Sequence, residues 1–472
     1  MKRSRRFPVF PRNGRLIGVV AAIVPVLGTM VLLVSTPATA ATAPTATPRS
    51  RLPAVPDPAL VAASGGGAAR SRAGAPASNG GWTQVNEFTG ANDSGLGWAV
   101  AISGTTMVVG APFDHSDIGA AYVYTGSGTH WTEVDELTPS DGVANDRFGV
   151  SVAIKGGEIV VGAECHSSSA PSCEGAAYVF TGSGGSWTQQ IELDDPGQAT
   201  NDYFGWPVSI AGKSILVSAT GEQSAEGAVF VYALQSKHWT ESSQIADPAG
   251  VAGDLFGVGA SARRKSLIVG APGTDGSAGA AYVFTRGSSG WTKTATLTAS
   301  NGRGCSSTCS NGLGYVYGDY FGDAVALKGT TIVVGAPYAS VTPAPDGVGT
   351  GTAYVFTRSG GVWTQDSELS VPAEVSTGLE DNFGFQVALA GSSVVATAPY
   401  DYRGANNYAN GAAFVFPKEG SNWPDSSPDE LVATDGVSGD YFGWSGLATI
   451  GKGIIVVGSP YSADGGLYFF QN

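Results

Sequence analysis

Helical periodicity, histidine, cysteine and positive charge are all scarce in this sequence. Beyond residue 40, apolar residues never follow the three-and-four spacing of an amphipathic helix for more than one turn, which argues against helical bundles and α/β folds. The 472 residues hold only four histidines, His115, His130, His166 and His238, scattered without acidic or nucleophilic partners at a catalytic spacing. G-x-S-x-G, H-E-x-x-H and phosphate-cradling glycine loops do not occur in a suitable context, so catalysis has little footing. Serines and acids distant in sequence can still meet in space, which keeps a glycan lyase or hydrolase open as an alternative.

Lys and Arg number 25 against 39 Asp and Glu, and six of the 25 fall within residues 1–40. The remainder carries a net charge near −20. Such a surface repels nucleic acid and anionic lipid and favours solubility or cations.

Four cysteines lie two to a loop, so the expected pairs are Cys165–Cys173 and Cys305–Cys309, as suits an oxidising compartment. A zinc site would need His166 beside thiolates drawn from separate units. No metal or other cofactor is expected.

The N-terminus agrees with that compartment. Lys2, Arg3, Arg5 and Arg6 precede an apolar run from Leu16 to Val34, followed by Ala38-Thr39-Ala40. Residues 1–40 read as a signal peptide cleaved before Ala41. The run is also long enough to cross a bilayer, so an uncleaved signal anchor is the rival. The expected localisation is secreted or cell-surface, membrane-anchored if the signal stays. After cleavage no stable membrane insertion is expected. Residues 41–81, rich in Ala, Pro and Gly, read as a disordered linker.

What the chain has in abundance is glycine, 69 residues, and a phrase written seven times. Its fullest form is DRFGVSVAIKGGEIVVGAE, then GAAYVFT, then a Trp-Thr segment. The anchors are Gly97, Gly149, Gly205, Gly257, Gly322, Gly384 and Gly443, separated by 52, 56, 52, 65, 62 and 59 residues. Each unit offers four short β-branched strands, for example Phe148–Ile154, Ile159–Ala163, Ala176–Thr181 and a run from Trp187 to about Leu193. One four-stranded unit cannot cover its own faces, whereas seven arranged radially can. The fold class expected for residues 82–472 is therefore all-β, a seven-bladed β-propeller of antiparallel blades.

The last unit reaches Phe470 without a Trp-Thr strand, while Trp82-Thr83-Gln84-Val85 stands spare before the first. The N-terminal strand should complete the last blade. The other tryptophans of the series, Trp131, Trp187, Trp239, Trp291, Trp363 and Trp423, are expected to cover the outer blade edges. Phe148, Phe204, Phe256, Phe321, Phe383 and Phe442 are expected between blades. Asp146, Asp202, Asp254, Asp319, Asp381 and Asp440, three residues before each anchor, suit a turn held by side-chain-to-amide bonds; a ring of carboxylates binding a cation is the alternative.

Phe256-Gly257 with Val269-Gly270-Ala271-Pro272, and Phe321-Gly322 with Val334-Gly335-Ala336-Pro337, resemble the FG-GAP repeats of the β-propeller in integrin alpha subunits. The resemblance covers about residues 82–472 and extends to exported bacterial members. It implies an adhesion or binding scaffold, and it implies Ca²⁺ cages in the hairpins between first and second strands. Here those hairpins, such as Ile154-Lys155-Gly156-Gly157-Glu158 and Ala262-Arg263-Arg264-Lys265, are too short and too cationic, so no cage is expected in them. Asp114 with Asp117 falls short of a calcium loop and reads as a surface turn.

Length variation collects in the loops between second and third strands and between blades, which leave the ring on one face. Aromatics beside the anchors, Trp98, Tyr203, Trp206, Tyr320, Tyr441 and Trp444, together with Tyr315 and Tyr317 of the longest loop, are the candidate ligand-binding residues. They suit sugar stacking or a gripped peptide, with inter-blade packing as the structural alternative. The partner expected is an extracellular protein or glycan; a purely structural envelope role is the third reading. Nothing in the sequence sets an oligomeric state.

Overall fold

The computed structural model describes residues 81–472 except 91–93, 168–172, 198, 237, 305–317, 340–348, 373–380, 402–408, 426–427, 438, 452 and 463–464. The signal and all of the linker but Gly81 lie outside the described residues, as do Cys305, Cys309, Tyr315 and Tyr317. No helix among the described residues is long and apolar enough to cross a membrane.

Seven four-stranded antiparallel sheets form the seven blades of a β-propeller. Blade 2 illustrates the unit: Phe148–Lys155, Glu158–Ala163, Ala176–Ser183 and Ser186–Asp194, in that order from the inside. The first strand of each blade packs on the first strands of both neighbours, including blade 7 on blade 1, so the ring is closed. The second strands are β-branched and buried almost throughout, as expected of strands covered on both faces.

The repeated phrase is the blade boundary itself. Each of the six Phe residues is essentially inaccessible and packs against two aromatics of its own third strand, as Phe148 does on Tyr178 and Phe180 at centroid distances of 5.4 and 6.0 Å. The same Phe148 contacts a cluster holding Val108, Ala121, Val123 and Leu137 of blade 1. Burying a ring of that size is worth about 1.5–3 kcal/mol.

The following glycine meets the Gly of Val-Gly-Ala in the preceding blade. A Cβ on Gly110, Gly162, Gly270 or Gly335 would stand 1.9, 1.9, 1.8 or 1.9 Å from the carbonyl oxygen of Gly149, Gly205, Gly322 or Gly384. The two halves of the motif are thus two sides of one backbone-to-backbone contact. The anchor glycines also need φ values of 84–109°, which a side chain disfavours. Backbone bonds seal the joint: the amides of Phe148, Phe204, Phe256, Phe321, Phe383 and Phe442 each donate to a carbonyl of the blade before.

Ring closure follows the expected route. Thr83–Thr89 pairs antiparallel with Gly466–Gln471, making it the outer strand of blade 7. Its bulge between Gln84 and Asn86 matches the bulges of the outer pairings in blades 1–5. Trp82, Trp131, Trp187, Trp239 and Trp423 are buried, while Trp291 and Trp363 are half-buried.

In four of the six blades that carry it, the Asp three residues before the anchor fixes the entering turn. Asp146, Asp254 and Asp440 each accept a hydrogen bond from the amide three residues earlier, at 2.8, 2.9 and 2.7 Å, and Asp319 accepts from Arg303 N–H at 2.6 Å. This is the turn-fixing role read from the sequence.

Candidate functional site

The two ends of the ring differ in construction. Six of the seven hairpins between first and second strands are two-residue turns, with a positive φ at Gly104, Gly156, Gly212, Arg264, Gly329 and Gly391. Two residues cannot encircle a calcium ion. On this end Lys155, Lys213, Arg264, Lys265 and Arg286 line a basic depression of about 460 Å³. The long connections leave from the opposite end.

At that opposite end, side chains from five blades converge on the axis. Trp98, Trp206 and Trp444 sit directly after their anchor glycines, as do Val150 and Phe385, and they form one apolar cluster with Phe113, Tyr400, Tyr441 and Tyr461. Phe385 and Trp444 lie 4.7 Å apart, Tyr441 and Tyr461 5.7 Å, and Trp98 and Tyr461 5.9 Å, mostly edge to face. Edge-to-face pairing places the electropositive ring edge on the neighbour's face and favours such rosettes by about 0.5–1.5 kcal/mol per pair.

The candidate residues divide by exposure. Trp98 at 9%, Trp444 at 3% and Tyr320 at 8% are core, and Tyr320 packs on Tyr338 rather than on the axial cluster. Trp206 and Tyr441 belong to the cluster and are half-buried, and Tyr203 is half-buried as well. Phe113, Tyr400 and Tyr461 were not singled out from the sequence. Their signal was available: each directly follows the Ala-Pro or Ser-Pro that ends the second strand. Asp323 holds the anchor-plus-one position in blade 5, and burial pushes its carboxyl up to about 7 although part of its surface stays open.

The residue before each Phe lies in the left-handed region: Arg147, Tyr203, Leu255, Tyr320, Asn382 and Tyr441 have φ of 49–59°. Four kinds of side chain, Arg, Leu, Asn and Tyr, accept that strain, so it belongs to the turn and not to any one ligand contact.

Two groups of acids also assemble on this end. Cys165 and Cys173 are disulfide-bonded as expected and staple the loop that carries His166. His166 Nδ1 lies 2.9 Å from Asp146 Oδ2 and its Nε2 lies 3.3 Å from Glu192 Oε1, while the Tyr178 hydroxyl donates to Asp141 at 3.1 Å. His166 therefore does have acidic neighbours, which its sequence surroundings hid. The enclosed Tyr178 hydroxyl is held far above its ordinary range by burial and by Glu192 and Asp141, which disfavours it as a base. In the second group, Asp195, Asp202 and Glu222 place carboxylate oxygens within 4.8 Å of one another. Burial and the neighbouring Asp195 and Glu222 push Asp202 up to about 8. Asp114, by contrast, accepts from the His115 amide and the Tyr122 hydroxyl, as a surface turn does.

The His166 group has a pH signature. The Asp146 bond raises His166 above its ordinary value, so its stabilisation is complete below about 6.5 and is lost as pH rises through the folded value. Burial and Asp141 raise Glu192 to about 7, so the folded state keeps a proton that the unfolded chain releases near 4.5. Both effects weaken the fold between pH 5.5 and 8. The expected loss from this group is about 1 kcal/mol. Urea denaturation at the two pH values should show that loss, and Glu192→Gln should reduce the difference.

The profile of the FG-GAP repeat family matches residues 82–124, 131–180, 187–232, 239–284, 315–356 and 363–416. No curated protein matches this chain. The matched segments take in the first three strands of blades 1–6, and blade 7 repeats the Phe-Gly joint at Phe442-Gly443. The chain belongs to the FG-GAP repeat family.

Proposed function

We propose that this protein is an exported, non-catalytic binding scaffold that recognises an extracellular glycan or protein at the axial mouth of its variable-loop face. The observation carrying this reading is the aromatic cluster drawn from five blades. Its inner members, Trp98 and Trp444, are packed away, while Trp206, Tyr441, Tyr400 and Tyr461 keep part of their surface open. Rigid aromatic faces held by a buried second layer bind rings or apolar side chains at low conformational cost. Family membership and the local disulfide are in keeping with an extracellular scaffold. The acidic surface disfavours nucleic acid and anionic membranes as alternatives.

The test is binding of the purified protein to arrays of extracellular glycans and proteins, repeated with Trp206→Ala and Tyr441→Ala. The reading expects each variant to keep its circular dichroism and to lose at least tenfold in affinity for whatever ligand the parent selects, the scale of one lost aromatic contact. Unchanged binding in both folded variants would move the site elsewhere, and turnover of an array glycan would favour the enzyme reading.

A further inference from the structure

Blades 3 and 4 carry the same loop architecture with opposite solutions for charge. The loop entering blade 4 carries Asp247 and Asp254 seven residues apart, and Asp247 is neutralised by Lys293 at 3.3 Å. Blade 3 places Asp195 and Asp202 at the matching positions. There the register position of Lys293 is taken by Glu241, and the position of Thr274 is taken by Glu222. Two acids and a lysine in blade 4 thus correspond to four acids in blade 3. Among the described residues no ion pair joins a basic group to Asp195, Asp202 or Glu222.

The geometry points to a divalent-cation site, of the calcium class, formed by Asp195, Asp202 and Glu222 on the loop face of blade 3. Asp195 and Asp202 expose only 2% and 3% of their surface. Asp202 Oδ2 and Glu222 Oε2 are enclosed and meet no hydrogen-bond donor. A buried carboxylate oxygen left without a donor is costly, and either a retained proton or a bound cation relieves that cost. Separations within 4.8 Å fit oxygens on one Ca²⁺, whose ligands lie at about 2.3–2.6 Å from the ion. A donor set of carboxylates alone favours calcium, magnesium or manganese over zinc or copper.

The loop is shaped to leave the oxygens open to an ion. Asp195 Oδ1 accepts from the Gly197 amide at 2.9 Å, and Oδ2 accepts more weakly from Ala199 at 3.4 Å, which fixes the carboxylate plane. Gly197 covers the group without a side chain; a Cβ there would lie 3.5 Å from both Asp195 Oδ1 and Glu222 Oε2. This place is at the opposite end of the blade from the hairpin cages of the family, and it revises the expectation that the chain holds no metal.

Isothermal titration of the protein with CaCl2, and thermal denaturation with and without millimolar CaCl2, decide the matter. One bound equivalent and a raised Tm are expected. Glu222→Gln should weaken binding at least tenfold. Glu241→Lys, at an exposed position, restores the arrangement of blade 4; it should raise the Tm in calcium-free buffer and remove the calcium response. Asp254→Asn in blade 4 should leave the titration unchanged. No heat and no Tm shift with Ca²⁺, Mg²⁺ or Mn²⁺ would overturn the site, as would binding that survives both Glu222→Gln and Glu241→Lys.

Discussion

Gly335→Ala should destabilise the ring by about 3 kcal/mol or more, whereas the same methyl added at Gly329 should cost only about 1 kcal/mol. Gly335 lies within the second strand of blade 5, Thr331–Ala336, and Gly329 lies in the hairpin before it, and they differ in what a Cβ would meet. At Gly335 it would stand 1.9 Å from the Gly384 carbonyl oxygen of blade 6. At Gly329, a hairpin residue with φ of 65°, it would meet nothing within 4 Å and pay only the left-handed strain. Backbone from two blades cannot move apart locally without loosening the Phe383 amide bond to Thr350 and the packing of Phe383 behind it. Blades 3 and 6 use Ser218 and Thr397 at the matching position, and there Gly257 and Gly443 face those side chains. The penalty therefore belongs to boundaries built from two glycines. Equilibrium denaturation in urea of the two single variants measures both numbers on one scale.

Loss of residues 82–90 should be more damaging still. The strand they form touches three blades. Trp82 is buried in the cluster of Leu431, Phe442 and Phe470, and its indole N–H donates to Asp429 of blade 6 at 3.1 Å. Phe88 stacks on Tyr124 of blade 1 at 5.1 Å and meets Phe469 of blade 7 edge-on at 5.2 Å. The Asn86 amide donates to the Thr129 carbonyl, a second link to blade 1. Removing a buried tryptophan side chain alone costs about 3–5 kcal/mol. Deleting the strand also exposes the edge of Gly466–Gln471 and opens one face each of blades 6 and 1. An exposed edge of this kind is a template for aggregation.

Much of this fold was legible because its causes are local and repeated. The anchor glycine, preceded by Phe in six blades and facing a Gly-Ala pair in four, marks strand, turn and joint, and the spare Trp82 strand identified the closing partner. The site was less legible. Trp98 and Trp444 stand at the same sequence position as Trp206, yet they are packed away by Phe113, Tyr400 and Tyr461, residues from other connections. His166 gains Asp146 and Glu192 only when three segments of blade 2 close on it, so no spacing near His166 announces them. Asp195, Asp202 and Glu222 are likewise divided between the loop entering blade 3 and the turn after its second strand. Their meaning emerges from comparison with Asp247 and Lys293 one blade on. What the repeats share is structural, and what distinguishes one blade from the next carries the candidate chemistry.

Both the axial mouth and the two faces exist only if the ring is closed by the strand at residues 83–89. Thermal denaturation of the protein lacking residues 1–90, with and without a synthetic peptide of residues 81–90, tests this most directly. Closure predicts a lower and less cooperative transition than the same protein beginning at Gly81, restored by the peptide as it adds to the open edge of Gly466–Gln471. An unchanged midpoint after the deletion, with no response to the peptide, would contradict closure of the ring by this strand.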